Sequence, residues 1–258
     1  MIKMMDLLTE GMYDKGIFKA VFMAGGPGSG KTYISKQLFG IPDTLKKATV
    51  TVGGLKVINS DKFFAHVLRK HGFHPEELAT YPQETFDDFQ LSIDKGGSGM
   101  RDFAQDLNKA EKERFMDGKL GMIIDSTGSN FQKVKKQKKQ LEDQGYDCYM
   151  VFVMTSLKTA QARNKKRAEE GERELPEDIV EKSWKATRKN LGGLKALFKE
   201  NFVMVDNDKF LNPKEARHKF SSLIKNYANK WVNAPFKNKK AKIWMKTMLK
   251  LKKSGLIK

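Results

Sequence analysis

The stretch Ile17-Phe18-Lys19-Ala20-Val21-Phe22-Met23-Ala24-Gly25-Gly26-Pro27-Gly28-Ser29-Gly30-Lys31-Thr32 decides the fold. A mostly apolar run, Ile17 to Met23, is followed directly by the spacing G-x-x-x-x-G-K-T. That pattern reads as strand, phosphate-binding loop, helix. Glycines let backbone N–H groups wrap a polyphosphate, Lys31 reaches the β- and γ-phosphates, and the Thr32 hydroxyl ligates Mg²⁺ at a helix N-terminus. Gly25, Gly26, Pro27, Gly28, Ser29, Gly30, Lys31, Thr32 and Tyr33 are therefore the expected contacts of a nucleoside triphosphate, with ATP and Mg²⁺ as cofactors.

Composition narrows what the loop serves. The chain has 258 residues, enough for one α/β domain with an appendage, and 39% of them are hydrophobic. No apolar run approaches the ~18 residues of a membrane span, and no basic segment precedes an apolar signal core, so an intracellular, cytoplasmic protein is expected. The single cysteine, Cys148, excludes an internal disulfide and a thiolate-rich metal site, and the four histidines lack zinc spacing. Charge is unevenly placed. Of the net +18, the 13 basic residues after Glu215 contribute most, and no acidic residue follows that position. Such a tail suits a polyanionic partner such as DNA or RNA, or is a solvated surface with no partner.

Strand-like runs at 18–23, 56–58, 121–124, 149–154 and 202–205 alternate with helical patterns at 31–39, 61–70, 85–117, 131–144, 157–170 and 176–198. Alternation of this kind predicts an α/β fold with a mainly parallel five-stranded sheet flanked by helices. The expected organisation is an N-terminal segment 1–16, a nucleotide-binding domain 17–210, and a basic helical extension 211–258. Asp94 to Gly99 divides the 85–117 region, as a plain loop with Ser98 as a local cap or as a substrate flap. Trp231 to Lys258 reads as a basic amphipathic helix. Ligands of parallel sheets sit beyond the carboxyl ends of the strands. Asn59-Ser60-Asp61, Asp125-Ser126-Thr127 and Asp206-Asn207-Asp208 all fall at such ends, so three polar clusters converge on the loop.

Asp125 closes Met122-Ile123-Ile124-Asp125, where a carboxylate holds Mg²⁺ through water opposite Thr32; the alternative is a helix cap, for which Asn130 is better placed. Asp61 can accept the proton of a substrate hydroxyl in line with the γ-phosphate, or cap its helix. Arg163 and Arg167 lie one helical turn apart with Arg173 in the turn beyond, and the group reads as a lid whose guanidiniums neutralise the transferring phosphoryl group. A salt-bridged surface helix is the plainer reading of each. Phe63, Phe64 and Phe73 fit a helix-on-sheet core better than a base-stacking platform.

These residues together resemble the zeta-toxin and polynucleotide-kinase branch of P-loop kinases. The loop Gly25 to Thr32, the strand end Ile58 to Asp61, the segment Ile124 to Asn130 and the run Arg163-Asn164 through Arg173-Glu174-Leu175-Pro176 carry the resemblance, over about residues 17 to 210. It implies that Asp61 binds the acceptor hydroxyl and acts as base, and that Arg163, Arg167 and Arg173 bind the transferring phosphate. No Asp-x-Asp-x-Thr phosphatase motif accompanies it, so end-healing phosphatase activity is not expected. Nothing in the sequence points to a nucleotide-sugar pocket or an antitoxin. Met1 to Gly11 is similar to head-targeting leader peptides of tailed bacteriophages, cut after Glu in a Leu-x-Glu context; that likeness implies a phage-encoded protein acting in host cytoplasm or packaged in the virion. The alternative is an amphipathic helix packed through Leu7 and Leu8. The expected activity is ATP-dependent phosphorylation of a hydroxyl on a nucleic acid or nucleotide. The alternatives are a nucleotide-sugar kinase and a non-catalytic nucleotide-dependent scaffold.

Overall fold

Strand β1 (Lys19–Ala24) is buried along its whole length, as a central strand of a parallel sheet covered on both faces must be. In the computed structural model it pairs with β3 (Met122–Asp125) on one side and β4 (Asp147–Met154) on the other. β2 (Lys56–Ile58) and β5 (Phe202–Asp206) form the edges, giving the order β2-β3-β1-β4-β5 with every pair parallel. This is the expected five-stranded α/β sheet, and its register brings the ends of β1 and β3 level, with β4 running two residues further: Met23 faces Asp125 and Val151. The structure describes residues 12–14, 16–40, 51, 54–78, 80–169, 175–208 and 213–257. The candidate leader with Leu7 and Leu8, and the lid residue Arg173, lie outside them.

Helices cover both faces. α1 (Lys31–Phe39) leaves the loop; α2 (Ser60–Lys70), α3 (Gln83–Gln90) and α4 (Met100–Asp117) lie between β2 and β3; α5 (Phe131–Asp143) joins β3 to β4. α6 (Leu157–Glu169), α7 (Glu177–Lys189) and α8 (Leu191–Phe198) follow β4. The 85–117 region divides at the glycine-rich loop as read. Phe64, Val67, Leu68, Phe86, Phe89 and Ala104 form a separate core between α2, α3 and α4, with Phe63 and Phe73 packed on it. These phenylalanines are thus core residues.

The expected single helix over 176–198 is two. It breaks at Asn190, whose side-chain amide donates to the Gly128 and Ser129 carbonyls instead of pointing to water. β4 starts two residues before the expected 149, because Asp147 is held by the buried Lys19 ammonium at 3.0 Å. The largest departure is in the basic extension. α9 (Pro213–Leu223), a π-helical stretch Ile224–Ala228, α10 (Asn229–Asn233) and α11 (Lys239–Lys253) fold back onto the body. Phe220, Ala228 and Trp231 join the core on one sheet face, and Trp231 stacks on Tyr149 at 4.9 Å. The helix read from Trp231 is interrupted at Pro235 and resumes under the Asn238 cap.

Candidate nucleotide and phosphoryl-transfer site

Gly28 (φ 71°) and Gly30 (φ 83°) curve the loop after β1 through left-handed backbone that other residues rarely adopt. A Cβ on Gly28 would run into the Ala160 carbonyl, and one on Gly30 into the Asn207 amide. The loop is pinned from outside: Gly25 N–H donates to Thr127 O at 3.1 Å, and Asn207 Nδ2 donates to Ser29 O at 2.9 Å. Lys31 Nζ folds over the loop to donate to Gly25 O (2.8 Å) and Gly26 O (3.3 Å). An ammonium so placed needs only to swing to meet a phosphate. Thr32 follows at the start of α1 with its side chain exposed. Tyr33, the last of the expected nucleotide contacts, is exposed and packs edge-on against Phe220 at 5.6 Å.

Pro27 and Ser29 complete the loop; Ser29 is buried and its hydroxyl has no hydrogen-bond partner among the described residues. Trp184 of α7 covers Gly26, with its Cα 3.3 Å from the position of an added Cβ, and donates from Nε1 to Thr155 O at 2.9 Å. Arg188 lies over that indole at 4.7 Å.

Asp125 ends β3 beside this loop. Its Oδ2 accepts from Asn59 Nδ2 at 2.9 Å, whereas the buried Oδ1 has no partner among the described residues. Burial pushes the carboxyl above the ordinary carboxylate range, and the Lys31 and Arg167 charges oppose that shift. A hard divalent cation is the kind of ligand such an oxygen lacks, so Asp125 and Thr32 fit Mg²⁺ by donor chemistry. No group of three or more His, Cys, Asp or Glu among the described residues could hold a metal by itself.

The same Asn59 caps α2: its Oδ1 accepts from Asp61 N–H at 2.7 Å. One asparagine therefore holds the Asp125 carboxylate and the backbone at Asp61. It also takes the capping role that Asp61 itself was an alternative for, and the Asp61 side chain is 58% exposed. Arg101, the second residue of α4, reaches Asp61 Oδ1 at 3.2 Å and lies over the Phe64 ring at 4.9 Å. Nothing in the local sequence around Arg101 announces this contact; it is made by the packing of α2 on α4.

The lid helix starts under Asp208. That carboxylate accepts from Ser156 N–H (2.8 Å) and Thr155 Oγ1 (3.1 Å), which hold it well below the ordinary range. Arg163 of α6 stands next to the loop, Nη1 lying 3.7 Å from an added Cβ on Gly30, and feels the Asp208 charge. Arg167 lies one turn further on, close enough to Asp125 to act on its ionisation. The base of the lid is closed by Asn164, which is 1% exposed: Nδ2 donates to Leu175 O (2.7 Å) and Oδ1 accepts from Leu175 N–H (3.1 Å). The structure thus brings Lys31, Asp125, Asp61, Arg163 and Arg167 to one end of the sheet. Asn59, Asn164, Asn207 and Asp208 hold them there.

Residues 21–194 match a protein family described as an AAA domain (AAA_33). The chain belongs to this AAA domain family. The AAA domain spans the loop, β3 and the lid helix, with α9 to α11 beyond it. No curated protein matches the chain. Among solved structures it is similar to one from the PezAT chromosomal toxin–antitoxin system of Streptococcus pneumoniae, at 15% identity and TM-score 0.45, over 83% of this chain and 87% of that one. It is also similar to a shikimate kinase from Acinetobacter baumannii in complex with shikimate, at 15% identity and TM-score 0.40, over 83% of this chain and 95% of that one. No helix among the described residues is long and apolar enough to cross a membrane.

Proposed function

We propose that this AAA-domain protein is an ATP-dependent kinase that moves the γ-phosphoryl group to a hydroxyl, on a nucleotide or nucleic acid. The observation that carries the reading is Asn59: it fixes Asp125 by its amide and the start of α2 by its carbonyl, so an enclosed carboxylate and an exposed one stand side by side at the loop. A nucleotide hydrolase needs the first of these; transfer to an alcohol needs the second as well.

Asp61 accepts the proton of the acceptor hydroxyl as that oxygen attacks the γ-phosphorus, and the bond to the β–γ bridging oxygen breaks to release ADP. Lys31 leaves the Gly25 and Gly26 carbonyls to contact the β- and γ-phosphates. Arg163 and Arg167 neutralise the equatorial oxygens and, with the lid down, exclude water. We place Arg173 with them on the resemblance of its segment. Mg²⁺, held by Thr32 and Asp125, would neutralise phosphate charge. Arg101, at 3.2 Å from Asp61 Oδ1, orients that carboxylate toward the incoming acceptor.

Asp61→Asn tests the assignment. Expected is loss of transfer by a factor on the order of 10² to 10⁴, the usual worth of a general base, with ATP affinity unchanged. Transfer that survives in Asp61→Asn would remove the base from Asp61.

A further inference from the structure

α11 carries a cationic face that the phosphate site does not use. Lys239, Lys242, Lys246, Lys250 and Lys253 recur every three or four residues, which places them on one side of the helix, and all five are exposed. None of their ammonium groups makes a hydrogen bond or ion pair among the described residues, and no acidic residue follows Glu215 in the sequence. The opposite side of α11 is occupied: Ala241 is fully buried, and Trp244 and Met245 pack on the core under Phe18.

The helix is also held rigidly. Asp147 accepts from Lys237 N–H and Asn238 N–H at 3.0 Å each, while Lys19 neutralises it, and Asn238 Nδ2 donates to Glu142 O at 2.7 Å. Lysines on a fixed helix present a fixed charge array instead of a diffuse tail. Five stems over 15 residues span about 21 Å, a length over which duplex DNA carries roughly twelve phosphate charges.

We infer that the outward face of α11 docks the phosphate backbone of a double-stranded nucleic acid. A membrane surface fits less well, because an interfacial helix lies on lipid through its apolar face, and here that face is spent on the body. Ile243 and Leu249, the exposed aliphatics on the helix, are single residues among lysines. The helix that carries the dock also lies at the far end of the molecule from the phosphate loop. Its inner face and cap contact Phe18 and Asp147, at the starts of β1 and β4, whereas the loop follows the other end of β1, about 20 Å away at strand rise. Nucleic acid bound there anchors the protein and leaves the phosphate site open. This inference stands whether or not the site transfers phosphate.

The test is fluorescence anisotropy of a labelled duplex of about 20 base pairs across a salt series, with the full chain and with Lys242→Glu/Lys246→Glu/Lys250→Glu. Expected is duplex binding that weakens at least about tenfold in the triple variant, with the slope of log affinity against log salt flattened by about 3 units at ~0.9 per phosphate contact. Mg-ATP leaves the binding unchanged. The three side chains are exposed, so the variant keeps the wild-type thermal midpoint; if it does not, the corresponding Lys→Gln set is used and the same loss is expected. Duplex binding indifferent to these substitutions, displacement by Mg-ATP, or retention only on vesicles of anionic phospholipid would overturn the inference.

Discussion

At Asp125 and Asp208 burial and hydrogen bonding push two carboxyls in opposite directions. Asp208 is held ionised by Ser156 and Thr155, so its contribution to stability is complete above the ordinary carboxylate pKa of about 4 and is lost as pH falls below it toward the folded value. Thermal midpoints measured against pH will show Asp208→Asn less stable than wild type near neutrality, with the gap closing below about pH 4; a gap that stays constant would show that its charge is not what the Ser156 and Thr155 donors hold. Asp125 is the reverse case, a carboxylate kept partly desolvated beside Lys31. Asp125→Asn preserves the Asn59 hydrogen bond and removes the anionic oxygen. Calorimetric titration of ATP with and without Mg²⁺ should then find affinity that no longer responds to the ion, as chelation would make the wild type behave. Both carboxylates are legible in the sequence because they fall at or just beyond the ends of apolar runs. Their opposite ionisation is not, since Ser156, Thr155 and Asn59 reach them only across the folded sheet.

The lid shows at the scale of an element what spacing does and does not reveal. Arg163 and Arg167 are readable as one helical turn because α6 is a continuous helix through both. Asn164, between them, gives no such signal, yet it is the residue that closes the lid segment back onto Leu175. Asn164→Ala leaves the Leu175 N–H and C=O without that partner. Equilibrium denaturation should register a loss of about 1–3 kcal/mol, the cost of unpaired buried polar groups, and limited proteolysis should cut earlier in 165–174. A variant as stable and as protease-resistant as wild type would show that the clamp is incidental. The break at Asn190 was hidden for a related reason: an asparagine flanked by helix formers reads as helix until the 126–130 loop supplies carbonyls for its amide.

Across the whole molecule, the parallel sheet and the site at its carboxyl ends were legible from the order of strands and helices, because each buried strand is an apolar run bounded by turns. The place of the basic extension was not. Its lysines dominate the composition, while the residues that dock it, Phe220, Trp231 and Trp244, meet Tyr33, Tyr149 and Phe18 from far earlier in the chain. The buried pair Lys19–Asp147 is the joint between body and extension. Asp147→Ala leaves the Lys19 ammonium buried without its counter-charge. A destabilisation of about 3–5 kcal/mol is expected from urea unfolding, together with faster amide exchange in α11; exchange in α11 unchanged from wild type would separate the joint from the helix. The central claim concerns the other end of the sheet, and the most direct measurement there is transfer of label from γ-labelled ATP and Mg²⁺ to 5′-hydroxyl DNA, 5′-hydroxyl RNA, modified-base DNA and a nucleotide-sugar panel, with Asp61→Asn alongside. Label on a hydroxyl acceptor, lost in Asp61→Asn, is the predicted result; tight ATP binding with no label on any acceptor would contradict the kinase reading and leave a nucleotide-dependent scaffold.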